Sequence, residues 1–257
     1  MSLNIEELLT GTARRVAHVT RFAGTPLHRT ESVAEHSYMT AQYALFIGWE
    51  CQRLGGAVHM ERLLARALVH DLDEAVMVDL PRPIKYADAA LREAWQVMCH
   101  RAIKDMEKAI GLPFFHTWLD AKDDSLEGAI LALADLIAVT SYVLEELAFG
   151  NTYMLDVLRG NIRYLETYRD KTHTPNELRV MVIDVIRFAR RRIPDIGVTC
   201  AACGSELTSV ATPQGNVRIC RTCLEREHGI KPDEPITVSV LAPFDPGDDP
   251  SCHLRLT

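Results

Sequence analysis

The stretch His70-Asp71-Leu72-Asp73-Glu74 places an imidazole and a carboxylate side by side at the end of an apolar approach through Leu63, Leu64, Ala67 and Leu68. Leaving two such groups unpaired against an apolar helix is costly. A divalent cation of intermediate hardness reconciles them, because neutral imidazole and carboxylate are both good donors to it. Neighbouring residues on a helix point about 100° apart, so the pair can share one ion only at a helix end or in a cleft between helices. Further ligands must come from elsewhere in the chain. Two candidates stand out. His36 lies in Glu31-Ser32-Val33-Ala34-Glu35-His36-Ser37, and Asp135 is a lone carboxylate within Ala132-Leu133-Ala134-Asp135-Leu136-Ile137-Ala138. Alone, His36 reads more readily as a hydrogen-bonded core histidine than as a ligand, and for Asp135 the matching reading as a cap or partnered core group is weaker, because aspartate is seldom buried unpaired. Together with the His-Asp pair they make a metal set.

A second constellation has a different chemistry. Cys200-Ala201-Ala202-Cys203 and Cys220-Arg221-Thr222-Cys223 are two CxxC pairs separated by sixteen residues. Four thiolates at that spacing predict a closed tetrahedral site for one structural zinc, with no position open for catalysis. A single CxxC would equally suit thiol–disulfide exchange; two at ribbon spacing favour the metal. The other cysteines, Cys51, Cys99 and Cys252, are scattered, so the pattern does not suggest a disulfide framework.

Apolar residues recur at three- and four-residue spacing in Val33 to Leu54, Met60 to Leu72, Leu91 to Ile110, Leu126 to Phe149, Met154 to Tyr168 and Leu178 to Ile193. This predicts a helical layer that must carry the first constellation, with Ser125 as an N-cap and Gly150 closing the fourth helix. Loops are marked by Gly24-Thr25-Pro26, Gly55-Gly56, Pro81-Arg82-Pro83 and Gly111-Leu112-Pro113. After Pro194-Asp195-Ile196-Gly197, valines, threonines and short turns replace helical periodicity. The expected organisation is a mainly α chain: a helical domain over residues 1–195, a small β-rich zinc ribbon over 196–244 and a flexible tail over 245–257.

The order H…HD…D, set in ESVAEHS, HDLDE and DLPRPIKY, resembles the HD-domain 5′-deoxynucleotidases over residues 8 to 170, with phage HD-domain dATP triphosphohydrolases as related proteins. The resemblance implies an HD-domain helical bundle in which His36, His70, Asp71 and Asp135 hold one catalytic divalent cation. Mn, Fe, Co or Zn would all suit two histidines and two aspartates. Such an ion polarises a phosphoryl oxygen and acidifies water near neutral pH. Asp71 is then part of the catalytic machinery, and Glu74, one turn further on, is expected to do acid/base work in the same cleft. Arg21-Phe22 stands where the family has arginine followed by tryptophan, implying a phosphate clamp and a stacking or sugar-edge contact. Phe in place of Trp removes the indole donor, so base and sugar preference do not transfer. Asp79 matches the family's aspartate near the sugar hydroxyl. Met77 and Val78 depart from the small or hydroxylated residues expected beside it. Lys85 is expected to join the cations around phosphate, and Arg82 adds charge in the same loop. The family does not generally carry a ribbon.

Bulk properties set limits on partners. Net charge is −7 in 257 residues, and 196–257 holds five Lys/Arg against eight Asp/Glu. Neither balance suits nucleic acid, and the ribbon lacks interleaved aromatics for base stacking. No stretch of about 18 consecutive apolar residues suggests a membrane span. The amino terminus, with Glu6 and Glu7, does not read as a secretory signal. The expectation is a cytoplasmic enzyme that removes phosphate from deoxynucleoside 5′-monophosphates, homo-oligomeric by resemblance. A deoxynucleoside triphosphate triphosphohydrolase is the alternative within the same chemistry. A binding or regulatory protein with a degenerate HD site, acting through its ribbon, is the alternative of another class.

Overall fold

The computed structural model describes residues 3–80, 88–171 and 175–192, with strand residues 208–212, 215–219, 238–239 and 255–256. Arg82, Lys85 and the four ribbon cysteines lie outside the described residues. Two compact units divide the chain, Met1–Ile193 and Pro194–Thr257.

The first unit is helical. Its α-helices are α1 (Ile5–Thr10), α2 (Val33–Arg53), α3 (Met60–Val69), α4 (Glu74–Met77), α5 (Ala89–Ile110), α6 (Phe115–Leu119), α7 (Leu126–Ala148), α8 (Leu155–Asp170) and α9 (Asn176–Arg192). Short 3₁₀ turns cover Thr12–Ala17 and Thr152–Met154. The six long helices follow the periodic segments closely. The short helices α1, α4 and α6 carry too few residues to show a period, and the expected Met60 to Leu72 helix breaks after Val69. That break turns the chain at His70-Asp71, where a shared ion requires a helix end.

Helix α7 is the axis of the bundle and packs against α2, α3, α8 and α9. Ile130, Leu131, Leu133, Ala134 and Val143 are wholly buried along it, with Leu63 and Ala67 of α3, Leu158 and Leu165 of α8, and Leu178 and Val182 of α9. Among the described residues it is the helix long and apolar enough to cross a membrane by length and composition, but most of it is buried inside the bundle. Ser125 caps it by accepting from the Gly128 N–H at 3.2 Å. Helices α2 and α3 approach closely at Gly48, where a Cβ would meet Met60 Sδ at 2.8 Å. A smaller core of Ala75, Ile103, Met106 and Phe115 joins α4, α5 and α6. Helix α5 ends at Gly111, whose left-handed backbone (φ 83°) carries the N–H back to the Glu107 carbonyl.

In the second unit β1 (Thr208–Thr212) pairs antiparallel with β2 (Gly215–Ile219), Thr208 opposite Ile219 and Thr212 opposite Gly215. The short β3 (Val238–Ser239) pairs antiparallel with β4 (Arg255–Leu256). The strand β4 falls within the stretch that composition reads as a flexible end.

Candidate metal centre

Local chemistry places His36. Ser32 accepts from the Glu35 N–H at 3.2 Å, and Glu35 Oε2 accepts from the Ser32 N–H at 2.7 Å, a complete capping box at the start of α2. Such a cap stabilises the helix by about 1 kcal/mol and fixes which residue begins the buried face. Val33 and His36 are therefore the first buried residues of α2, both fully inaccessible. The segment before the cap pairs with an earlier one: Val33 N–H donates to Val19 O at 3.0 Å, Arg21 N–H to Glu31 O at 2.9 Å, and Thr20 bridges Ser32. This short antiparallel contact brings Arg21 beside the N-terminus of α2.

One atom each from His36, His70 and Asp71 falls within a single group in which all lie within 4.8 Å of one another. His70 Nε2 is 3.2 Å from Asp71 Oδ2, and His36 Nε2 is 3.6 Å from the same oxygen. Asp135 of α7 falls outside that group of three and meets it at one member, its Oδ1 3.0 Å from His36 Nε2. Donor atoms about 2.1 Å from one ion stand roughly 3 to 3.6 Å apart, so the separations of both histidines from Asp71 suit a shared cation.

The histidine hydrogen bonds fit the same use. His70 Nδ1–H donates to the Ala67 carbonyl at 2.8 Å, which fixes the tautomer and leaves the Nε2 lone pair facing Asp71. His70 Nε2 is buried and has no hydrogen-bond partner among the described residues. A buried acceptor without a donor costs about 1–3 kcal/mol, which a bound cation offsets. Burial, aided by the positive Arg21, pushes the His36 pKa down to about 4 despite the opposing pull of Asp135 and Asp71. His36 is thus neutral near pH 7, the form that ligates. Burial alone would raise the Asp71 carboxyl, but in the absence of an ion the protonated form of the His70 ring, and then Lys122, outweigh it and hold Asp71 well below the ordinary carboxylate range.

Around this cluster the other candidates are arranged unevenly. Arg21 is buried, with Nη1 3.1 Å from Glu31 Oε2 and Nε 4.0 Å from Asp79 Oδ2. Burial alone would lower its pKa, but Asp71, Glu31, Asp135 and Asp79 raise it, so the guanidinium stays charged within the field of both aspartates of the set. Phe22 stacks on Tyr142 with ring centroids 5.3 Å apart and planes 6° from parallel, and the Arg21 guanidinium lies 5.2 Å from the Phe22 centroid. One face of the Phe22 ring is therefore engaged within the protein. Asp79 accepts from the Phe22 N–H at 3.1 Å, tying the two substrate candidates together. Both sides of that tie are strained: Phe22 (φ 56°) and Val78 (φ 58°) are the non-glycine residues with positive φ among those described. Such backbones cost of order 1–3 kcal/mol each and persist where surrounding contacts over-determine them. Glu74 is buried as the first residue of α4.

Sequence reading missed four residues here. Glu31, which opens ESVAEHS, holds Arg21 through both backbone and side chain. Thr40, one turn after His36, places Oγ1 3.4 Å from His36 Nε2. Trp118 Nε1–H donates to Asp73 Oδ1 at 3.1 Å, so Asp73 in HDLDE anchors α6. Lys122 donates to Asp135 Oδ2 at 2.6 Å from the loop between α6 and α7. Spacing toward His36 could have found Thr40; the other three contacts span 10 residues or more and leave no periodic trace. A cleft of about 460 Å³, lined by Arg29, Glu31, Glu35, Tyr38, Ser141 and Tyr142 among others, borders the partners of Arg21 and Phe22 but includes none of the four metal candidates.

The family model for YfbR-like 5′-deoxynucleotidases matches residues 9–172. The 5′-deoxynucleotidase YfbR of Shigella flexneri is 32% identical over 133 residues, covering 49% of this chain and 66% of its own length. The Escherichia coli protein of the same name is 31% identical over the same shares. The chain thus spans just under two thirds of the curated relatives it matches. An HD-domain phosphohydrolase from Listeria innocua, 26% identical, aligns with a TM-score of 0.59 over 71% of this chain and 90% of that one. A conserved hypothetical protein from Pyrococcus furiosus gives 25% and 0.57, over 72% and 99%. The helical unit has the HD-domain fold, and the chain belongs to the YfbR-like 5′-deoxynucleotidase family.

Proposed function

We propose that this protein is a metal-dependent 5′-deoxynucleotidase that hydrolyses deoxynucleoside 5′-monophosphates to deoxynucleoside and orthophosphate. The observation that carries this is the convergence of His36, His70 and Asp71, with Asp135 against His36, in a chain of this family. When bound at this set, a divalent cation supplies Lewis-acid polarisation and acidifies water at neutral pH. The protein's own groups do the rest. Arg21, kept charged and oriented by Glu31, donates to the phosphate. Glu74 moves a proton on the attacking water or the leaving oxygen. Asp79 reads the sugar hydroxyl, and the ring of Phe22 bounds the nucleoside. Lys85, outside the described residues, is assigned as a further cation for the phosphate on the family pattern.

For the second unit, the antiparallel β1–β2 pair between the two CxxC sequences supports a ribbon over 196–244 with one structural zinc on Cys200, Cys203, Cys220 and Cys223. The buried thiols Cys51 and Cys99 suit a reducing cytoplasmic setting. A homo-oligomer follows from family likeness.

The test is chromatographic product analysis. Each dNMP, dNTP and matching ribonucleotide is incubated with Mn²⁺, Co²⁺, Mg²⁺ or chelator. Orthophosphate from dNMPs is the expected product. Triphosphate and nucleoside from dNTPs would replace it with the triphosphohydrolase activity. No metal-dependent turnover would leave a degenerate site and turn attention to the ribbon.

A further inference from the structure

We propose that Lys122 is a phosphate-binding residue of this site, supplying a further cation to the substrate's phosphate beside Arg21. The inference rests on the metal-dependent phosphohydrolase function proposed above and adds a residue to it.

Three observations support it. Lys122 Nζ lies 2.6 Å from Asp135 Oδ2, while the other oxygen of that carboxylate faces His36 Nε2 at 3.0 Å. The ammonium is therefore one carboxylate away from the ligand cluster. It also sits on the solvent side of that cluster: the Lys122 side chain is 37% exposed, against 6% for Asp135 and none for His36. Kept partly in water, the ammonium can exchange solvent for phosphate oxygens without first incurring the desolvation of a buried charge. It stands where a phosphate must arrive.

Its root, in contrast, is fixed. Ala121 before it is buried, and Asp123 after it receives both arms of the Arg66 guanidinium at 2.9 Å, with the Ser125 N–H at 3.1 Å. A rigid base with a mobile four-carbon arm delivers a point charge over a small area, which suits following phosphate from substrate to released product. An ammonium has three donors, and Asp135 accepts one of them.

The measurements are inorganic phosphate binding to the Mn²⁺-loaded full chain by calorimetry, Mn²⁺ binding to the metal-stripped chain, and dNMP kinetics, for wild type, Lys122→Met and Lys122→Arg. Lys122→Met is expected to weaken phosphate binding and raise KM about tenfold, the size of one hydrogen bond to a charged group, with most of the loss in kcat/KM carried by KM. Mn²⁺ affinity is expected to hold, and Lys122→Arg to recover most of the phosphate binding. Unchanged phosphate binding in Lys122→Met overturns the inference, whatever happens to turnover. So does a loss confined to Mn²⁺ affinity or kcat, which would make Lys122 a support for Asp135. A wild type that binds phosphate through Lys122 but hydrolyses no nucleotide would instead overturn the function proposed above. Thermal melting of each variant shows that its fold is intact, and the exposed position favours that.

Discussion

The candidate metal cluster and the candidate substrate rim lie side by side but are built in opposite ways. His36, Asp135 and the His70-Asp71 pair come from α2, α7 and the end of α3, elements locked by a capping box, a serine cap and a dense core. Arg21, Phe22 and Asp79 come from connecting segments in which two residues, Phe22 and Val78, hold positive φ. The cluster is positioned by regular structure, in which each side chain follows from helix geometry. The rim is positioned by a few long-range hydrogen bonds that compel unfavourable backbone. Rigid placement suits a cation with fixed bond lengths; a strained rim concentrates specificity in few residues and makes it sensitive to single changes.

This contrast can be tested from its strongest consequence downward. Arg21 stands at the junction of the two regions. Arg21→Lys keeps the charge but loses the fork held by Glu31, and dNMP kinetics should show kcat/KM down about a hundredfold, comparable with removing one preorganised donor. An unchanged value would mean that Arg21 serves only Glu31 and Asp79.

The next effect belongs to the loop that carries the rim. Buried Glu146 accepts from the His28 and Arg29 N–H groups, each at 2.8 Å, and from Asn151 at 2.6 Å. Burial by itself would raise its pKa, but the Asn151 side chain and the two backbone N–H groups lower it overall. A carboxylate depressed on folding contributes stability above its unfolded pKa and loses it as pH falls through the folded value. Glu146→Gln should therefore cost about 2 kcal/mol at pH 7 in urea unfolding, and the gap to wild type should close in acid. A gap that persists below pH 3 would assign the loss to packing.

The smallest effect comes from the strain. Val78→Gly removes the Cβ from a backbone that L side chains rarely adopt, on a half-exposed side chain, and should raise stability by about 1 kcal/mol net of glycine's entropy cost. If stability falls instead, the valine side chain contributes more through its contacts than its backbone costs.

The same contrast marks how far the sequence alone could lead. Six long helices and the candidates His36, His70 and Asp71, which the fold brings together, were legible because helical period and the His-Asp pair are local signals. Ser125 as a cap was legible for the same reason. The break after Val69, the engagement of Phe22 by Tyr142 and the reach of Lys122 to Asp135 were not. The last two depend on contacts across 120 and 13 residues, which no window of sequence contains. Glu31 is an instructive case: it was read as the first letter of a motif, while its task is to hold Arg21 ten residues earlier.

The most direct test of the account titrates metal-stripped protein with Co²⁺, following visible absorption and dNMP turnover on the same samples, for wild type and Asp71→Ala. The account predicts one equivalent of Co²⁺ that tracks turnover and is lost with the aspartate, together with at least a thousandfold fall in rate, roughly the scale of losing a catalytic metal's charge stabilisation. Turnover that survives in Asp71→Ala, or that ignores the metal, would contradict it.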